Sequence, residues 1–214
     1  EKTTNGTVNT QYSFFFEGAN IVFRTYSLSS VDLYASTNYP VNSQWNFMAA
    51  TYNSSTGTKK IYCNGVEIAS LTGLTGSIVS NTTGTSWIGA YGGGAGYPFN
   101  GKIDDVRIYN YSRTADQILQ DYNAGGVAHL GARSAGVSDP WDGALPVGHW
   151  KLDENTGVLG NDASGNGNNG TVTEAAWTNG VYGSALDFDG SNDLVDCGSG
   201  SSLVPTGAIS VEAW

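Results

Sequence analysis

Apolar and polar positions alternate along this chain in short runs, each broken by Gly, Asn, Ser or Thr. Residues 12–16 (Tyr-Ser-Phe-Phe-Phe), 20–26 and 31–35 are β-branched or aromatic runs of strand length. Residues 45–52 form a longer one, and further runs lie at 60–63, 66–69, 85–90 and 102–109. Asn64-Gly65 separates two of them and supplies the two positive φ angles of a type I′ hairpin turn. After 109 the period changes. Thr114-Ala-Asp-Gln117 reads as a capping box, with Ile118, Leu119 and Tyr122 as the apolar face of one short helix that Gly125-Gly126 ends. Residues 126–146 carry Ala, Gly and Ser around Asp139-Pro140 and read as a linker, with Trp141 inside it. Strand signals resume at 148–153, 184–188, 193–197 and 208–214. Many short strands with regular turns predict an all-β antiparallel sandwich with one short helix.

Composition narrows the class. Aromatic residues reach 12% and apolar residues 39%, so the chain is able to build a core and is not disordered. Charged residues are 13% and the net charge is −10, which repels phosphate backbones and argues against nucleic acid as a partner. No apolar run is long enough to span a bilayer, so no membrane insertion is expected. The two cysteines, Cys63 and Cys197, are too few for a disulfide framework. They read as small buried side chains, with a single disulfide as the alternative. The chain opens at Glu1 within polar sequence and is expected to be a piece of something longer.

Several segments resemble a known family. Residues 150–157 (Trp-Lys-Leu-Asp-Glu-Asn-Thr-Gly), 162–170, 183–190 (Gly-Ser-Ala-Leu-Asp-Phe-Asp-Gly) and 209–214 are similar to the opening half of a laminin-G-like jelly roll of the concanavalin A-like lectin/glucanase family. Residues 45–52, 61–66 and 99–109 (Phe-Asn-Gly-Lys-Ile-Asp-Asp-Val-Arg-Ile-Tyr), with the helix after them, are similar to its closing half. The resemblance implies an antiparallel jelly-roll β-sandwich, with its halves in permuted order: 1–125 the closing half, 126–146 a linker, 147–214 the opening half. The halves make one domain, closed within the chain as a permutant or between copies by strand donation, or the chain is one period of a tandem array. Leu186, Phe188, Leu194 and Val195 would be exposed in an isolated second half, so each half is expected to seek the other.

Three candidate sites follow. Ca²⁺ takes six to eight hard oxygen ligands. Asp162-Ala-Ser-Gly-Asn166-Gly matches the opening of a Ca²⁺ loop but has Thr173 where the closing acid would stand; the alternative is a solvated Asn/Gly turn. The second is Asp104 with Asp153. Alternation places Asp104 on the face of Val106 and Ile108, where a bare carboxylate is costly. The resemblance adds that related jelly-roll glucanases hold a structural Ca²⁺ where a last-strand Asp meets an acidic first strand, which implies Asp104 with Asp153 or Glu154. Asp105 adjoins it, with an Arg107 salt bridge on the exposed face as the alternative. The third is a sugar platform of Tyr91, Tyr97 and Asn100 at the Gly-rich loop, against a merely variable loop. The strand tryptophans, Trp45, Trp87, Trp150, Trp177 and Trp214, read mostly as core.

Catalysis is not expected. Glycoside hydrolysis needs two facing carboxylates, and no E-x-D-x-x-E cluster occurs. His129 and His149 have no Ser or Cys partner by spacing. The expected function is an extracellular or cell-surface structural or adhesive module, self-assembling head to tail with other copies or forming part of an array. A glycan-binding module is the alternative, and a glycoside hydrolase the remote one.

Overall fold

Hydrogen-bonded partners explain why so many short runs suffice. The computed structural model describes residues 2–4, 7–18, 20–26, 32–35, 43–90, 98–124 and 145–214. Tyr91, Tyr97, Trp141 and most of the 126–146 linker lie outside them. In chain order the strands are β1 (Lys2–Thr4), β2 (Thr7–Glu17), β3 (Asn20–Thr25), β4 (Leu33–Ala35), β5 (Met48–Asn53), β6 (Thr58–Cys63), β7 (Val66–Leu71), β8 (Thr85–Ile88), β9 (Asn100–Ile103) and β10 (Val106–Tyr109). The helix α1 (Ala115–Ala124) follows. Beyond the linker come β11 (Gly148–Trp150), β12 (Leu159–Gly160), β13 (Gly170–Thr173), β14 (Ala176–Asn179), β15 (Ser184–Asp189), β16 (Leu194–Asp196) and β17 (Ala208–Ala213).

The strands form antiparallel sheets in the orders β12-β13-β16-β8-β1-β2-β3-β4, β11-β10-β17-β5-β6-β7 and β14-β15-β9. Each sheet combines strands from both sides of the linker. β17 lies in the middle of the second sheet, running from Ala208↔Asn53 to Ala213↔Met48 against β5 and from Arg107↔Glu212 to Tyr109↔Ser210 against β10. β16 pairs with β8 through Val195↔Ile88, and β15 with β9 through Leu186↔Ile103. The inward faces share one core. Tyr12, Phe23, Tyr52, Ile61 and Ile108 from before the linker pack in the same cluster as Trp150, Leu186, Phe188, Val195 and Ile209 from after it.

Local chemistry explains the elements. Asn64 (φ 52°) and Gly65 (φ 78°) make the tight turn between β6 and β7, as their sequence predicts. The capping box closes reciprocally: the Thr114 amide donates to Gln117 Oε1 at 2.9 Å, and the Gln117 amide to Thr114 Oγ1 at 3.2 Å. α1 lies on the outer face of the second sheet, where Ile118 packs with Phe47, Ala49 and Tyr62. β5 is therefore covered on both faces, and Met48 to Tyr52 are buried without a break. Of the expected helix face, Ile118 is buried while Leu119 is 44% exposed. Leu194 is only half-buried because it points away from the core that Val195 enters. Of the tryptophans, Trp87 and Trp150 are buried, and Trp45, Trp177 and Trp214 are half-buried. Cys63 and Cys197 are buried and unpaired with each other.

One expected strand is two. Residues 102–109 break at Asp104 and Asp105, with Asp105 at φ 50°, so β9 joins the three-stranded sheet while β10 joins the second. The left-handed residue turns the chain between layers, and Asp tolerates that conformation better than most residues.

The core holds a lysine. Lys59 on β6 is fully buried, its Nζ 5.7 Å from the Tyr52 ring centre and 5.9 Å from that of Phe23. Burial pulls its pKa down to about 8; the Asp32 charge opposes this and the Arg24 charge adds to it. The unfolded chain then binds more protons than the native one between about pH 8 and the unfolded lysine value near 10.4, so this residue makes stability rise with pH across that window, at up to about 1.4 kcal/mol per unit. Chemical denaturation from pH 7.5 to 9.5 should show the rise in the native sequence and a flatter profile in Lys59→Met. Equal slopes in the two proteins contradict this assignment.

Candidate metal centre and ionic network

The break between β9 and β10 places two carboxylates side by side in sequence with opposite surroundings. Asp104 is fully buried. Its backbone exchanges two hydrogen bonds of 2.9 Å with Trp214 at the end of β17. Its Oδ2 accepts from the amides of Val181 (2.7 Å) and Tyr182 (3.0 Å), whereas Oδ1 is buried without a hydrogen-bond partner. Burial pushes its pKa up to about 6, the two amides opposing and the Asp105 and Asp153 charges adding to the rise. Asp153 reaches the same loop, where its Oδ1 accepts from the Ser184 amide at 3.1 Å. Gly180 and Gly183 line this pocket: a Cβ on the first would collide with Asp104 Oδ2, and on the second with Asp153 Oδ1. Gly183 also holds φ at 69°, which favours glycine. Residues from both sides of the linker thus meet at one buried acceptor that lacks a donor.

Asp105 is committed elsewhere. Its Oδ1 lies 2.7 Å from His149 Nε2, and its Oδ2 pairs with Arg107. Burial raises this carboxyl, but the hydrogen bond from His149 and the Arg107 charge outweigh it and hold the group below its ordinary range. The pairing with Arg107 expected on an exposed face is in fact 94% buried at Asp105, whose carboxylate lies between the Arg107 and His149 side chains. Among the described residues, no group of three or more His, Cys, Asp or Glu side chains gathers as a metal centre would.

The sequence of residues 2–119, more than half of the chain, matches the family model of the concanavalin A-like lectin/glucanases superfamily. The chain belongs to the concanavalin A-like lectin/glucanases superfamily. No curated protein and no solved structure matches it.

Within this concanavalin A-like sandwich the remaining candidates take different places. Asp162 is an internal pin. Its Oδ1 accepts from the His149 (3.0 Å) and Ser164 (2.9 Å) amides, and its Oδ2 from the Asn168 amide (2.9 Å) and Asn168 Nδ2 (3.1 Å). Burial raises this carboxyl, and the hydrogen bonds from Ser164, His149 and Asn168 more than reverse that. Asn166 turns its Nδ2 to the Val147 carbonyl at 3.2 Å, so it presents a donor there. The loop also seats the core, since Trp150 Nε1 donates to the Asn168 carbonyl at 2.8 Å. Asn100 is exposed at the start of β9, its Nδ2 bonded to the Asp189 carbonyl at 2.9 Å; Tyr91 and Tyr97 lie outside the described residues. No helix among the described residues is long and apolar enough to cross a membrane.

Reading the sequence missed an ionic network beneath α1. His149, Arg107 and Glu212 stand in one cross-strand row on the outer face of the second sheet. Arg113 and Asp121 close over it, and Arg113 pairs with Asp121. Strand alternation places Arg107 on the exposed face, and Glu212 drew no reading from its sequence. The available signal was Asp121, three residues after Ile118 and hence on the buried side of the helix.

Removing the Asp162 pin isolates its role. Asp162→Ala strands amide donors of His149, Ser164 and Asn168 and should cost about 2–3 kcal/mol in urea denaturation, judged by hydrogen bonds to a charged acceptor. An unchanged midpoint contradicts the structural role.

Proposed function

We propose that the chain is an extracellular, non-catalytic binding module of adhesive type. The observation that carries this reading is the commitment of three acids to the fold: Asp105 to His149 and Arg107, Asp121 to Arg113, and the half-buried Asp162 to four N–H donors. Glycosidic chemistry needs two carboxyl groups free to face a sugar, so acids held in this way favour binding over hydrolysis. Membership of a superfamily described by lectins and glucanases makes saccharide the first ligand class to test. In this reading each chain completes its own sandwich, and the place of β17 between β5 and β10 supports it. A head-to-tail assembly would use outer surfaces and would not need strand donation. A glycan and matrix-protein array probed with the purified chain should give binding without turnover. Hydrolysis of β-glucans or galactans would overturn the non-catalytic reading.

We also propose that Ca²⁺ stiffens the seam, with Asp104 Oδ1 and Asp153 as its side-chain ligands. Support comes from the orphaned buried Oδ1 and from the mutual repulsion of two carboxylates at the 180–184 loop. A hard cation there would relieve both, a structural rather than a chemical service. Ca²⁺ should raise the melting temperature of the native protein at pH 7.5 by several degrees, and Asp104→Asn should abolish that rise. An identical Ca²⁺ response in the variant contradicts this ligand assignment.

A further inference from the structure

The ionic network beneath α1 contains more buried acid than buried base. Glu212 on β17 is fully buried, Asp121 on α1 is 2% exposed and Arg113 is 4% exposed. Arg113 pairs with Asp121 and also places Nε 3.5 Å from Glu212 Oε1. Arg107 Nη1 stands 3.8 Å from Asp121 Oδ1, and Arg107 is shared with Asp105. Two guanidinium charges therefore serve three carboxyl groups. Asp121 Oδ1 and both Glu212 oxygens are buried without a hydrogen-bond donor, and the two carboxyls converge on the one Arg113 guanidinium. Burying an unpaired carboxylate costs several kcal/mol, and two adjacent carboxyls cannot both ionise cheaply.

We propose that Asp121 and Glu212 share one proton as a carboxyl–carboxylate hydrogen bond, and that this proton clamps α1 to the outer face of the second sheet. It satisfies one oxygen of each group and balances the count of charges. Burial drives the Glu212 pKa well up and the Asp121 charge drives it further, while Arg113 and Arg107 oppose. The other polar groups facing the pair are Tyr109, whose ring lies 4.6 Å beneath the Arg113 guanidinium, Tyr111, which accepts from Arg113 at 3.1 Å, and Ser210. His149 and Asp105 stand at the far end of the row, beyond Arg107. Because the native carboxyl holds its proton more tightly than the unfolded one, its stabilisation is complete below the ordinary glutamate range. It is lost as pH rises through the native value. Alkaline conditions then leave two facing negative charges and loosen the helix, whose Tyr122 stacks on Trp214 at 5.6 Å.

Two measurements on the whole chain test this. Infrared spectroscopy at neutral pH should detect a buried protonated carboxyl C=O stretch that disappears in Glu212→Gln. Hydrogen exchange across residues 115–124 should lose protection with rising pH in the native protein and stay level in Glu212→Gln, whose amide donates to Asp121 at any pH. Asp121→Asn provides the same comparison from the other side, should Glu212→Gln fold poorly. Absence of the band from the native protein, or an unchanged band and an equal pH slope in the folded variant, would overturn the proposal.

Discussion

Everything else in this sandwich depends on the pairing of β17 with β5 on one side and β10 on the other. Without β17 those strands would face each other across an unfilled gap, with their amides and carbonyls unsatisfied. With it, Ile209 enters the common core, Glu212 enters the row under α1, and the Trp214 backbone locks onto Asp104. One strand thus ties the hydrophobic interior, the ionic network and the orphaned carboxylate to a single element. The large separation in sequence between β17 and its partners implies slow folding relative to a locally connected protein of this size, since loop closure precedes the reward.

The two acids at the β9–β10 break illustrate how neighbouring residues acquire opposite chemistry. Asp104 points inward, meets only two amides and keeps one oxygen idle. Asp105, one residue on and left-handed, points outward into Arg107 and His149 and becomes an ordinary ionised anchor. The turn that separates two sheets is also what separates these environments. Backbone geometry, more than residue type, assigns their roles.

Much of this architecture was legible in the residues. The Asn64-Gly65 turn, the Thr114/Gln117 capping box and the inward Asp104 each follow from a local rule that the fold obeys. What escaped detection depends on tertiary cover. Arg107 and Glu212 alternate as solvent-facing residues do, yet beneath the docked helix Glu212 is buried and Arg107 half-buried. The Asp162 loop reads from its spacing as the opening of a Ca²⁺ loop or as an Asn/Gly turn. The amides of that loop turn inward to Asp162, which composition does not encode. The tyrosines beside Asn100 belong to residues 91–97, outside the described part of the chain.

Backbone nuclear Overhauser contacts from Val211 test the account most directly. In a monomer the account predicts contacts from Val211 to Ala50 and to Ile108 within one molecule, matching the register of β17. Their absence, or their appearance only between differently labelled chains in a mixed sample, would contradict a sandwich completed within the chain.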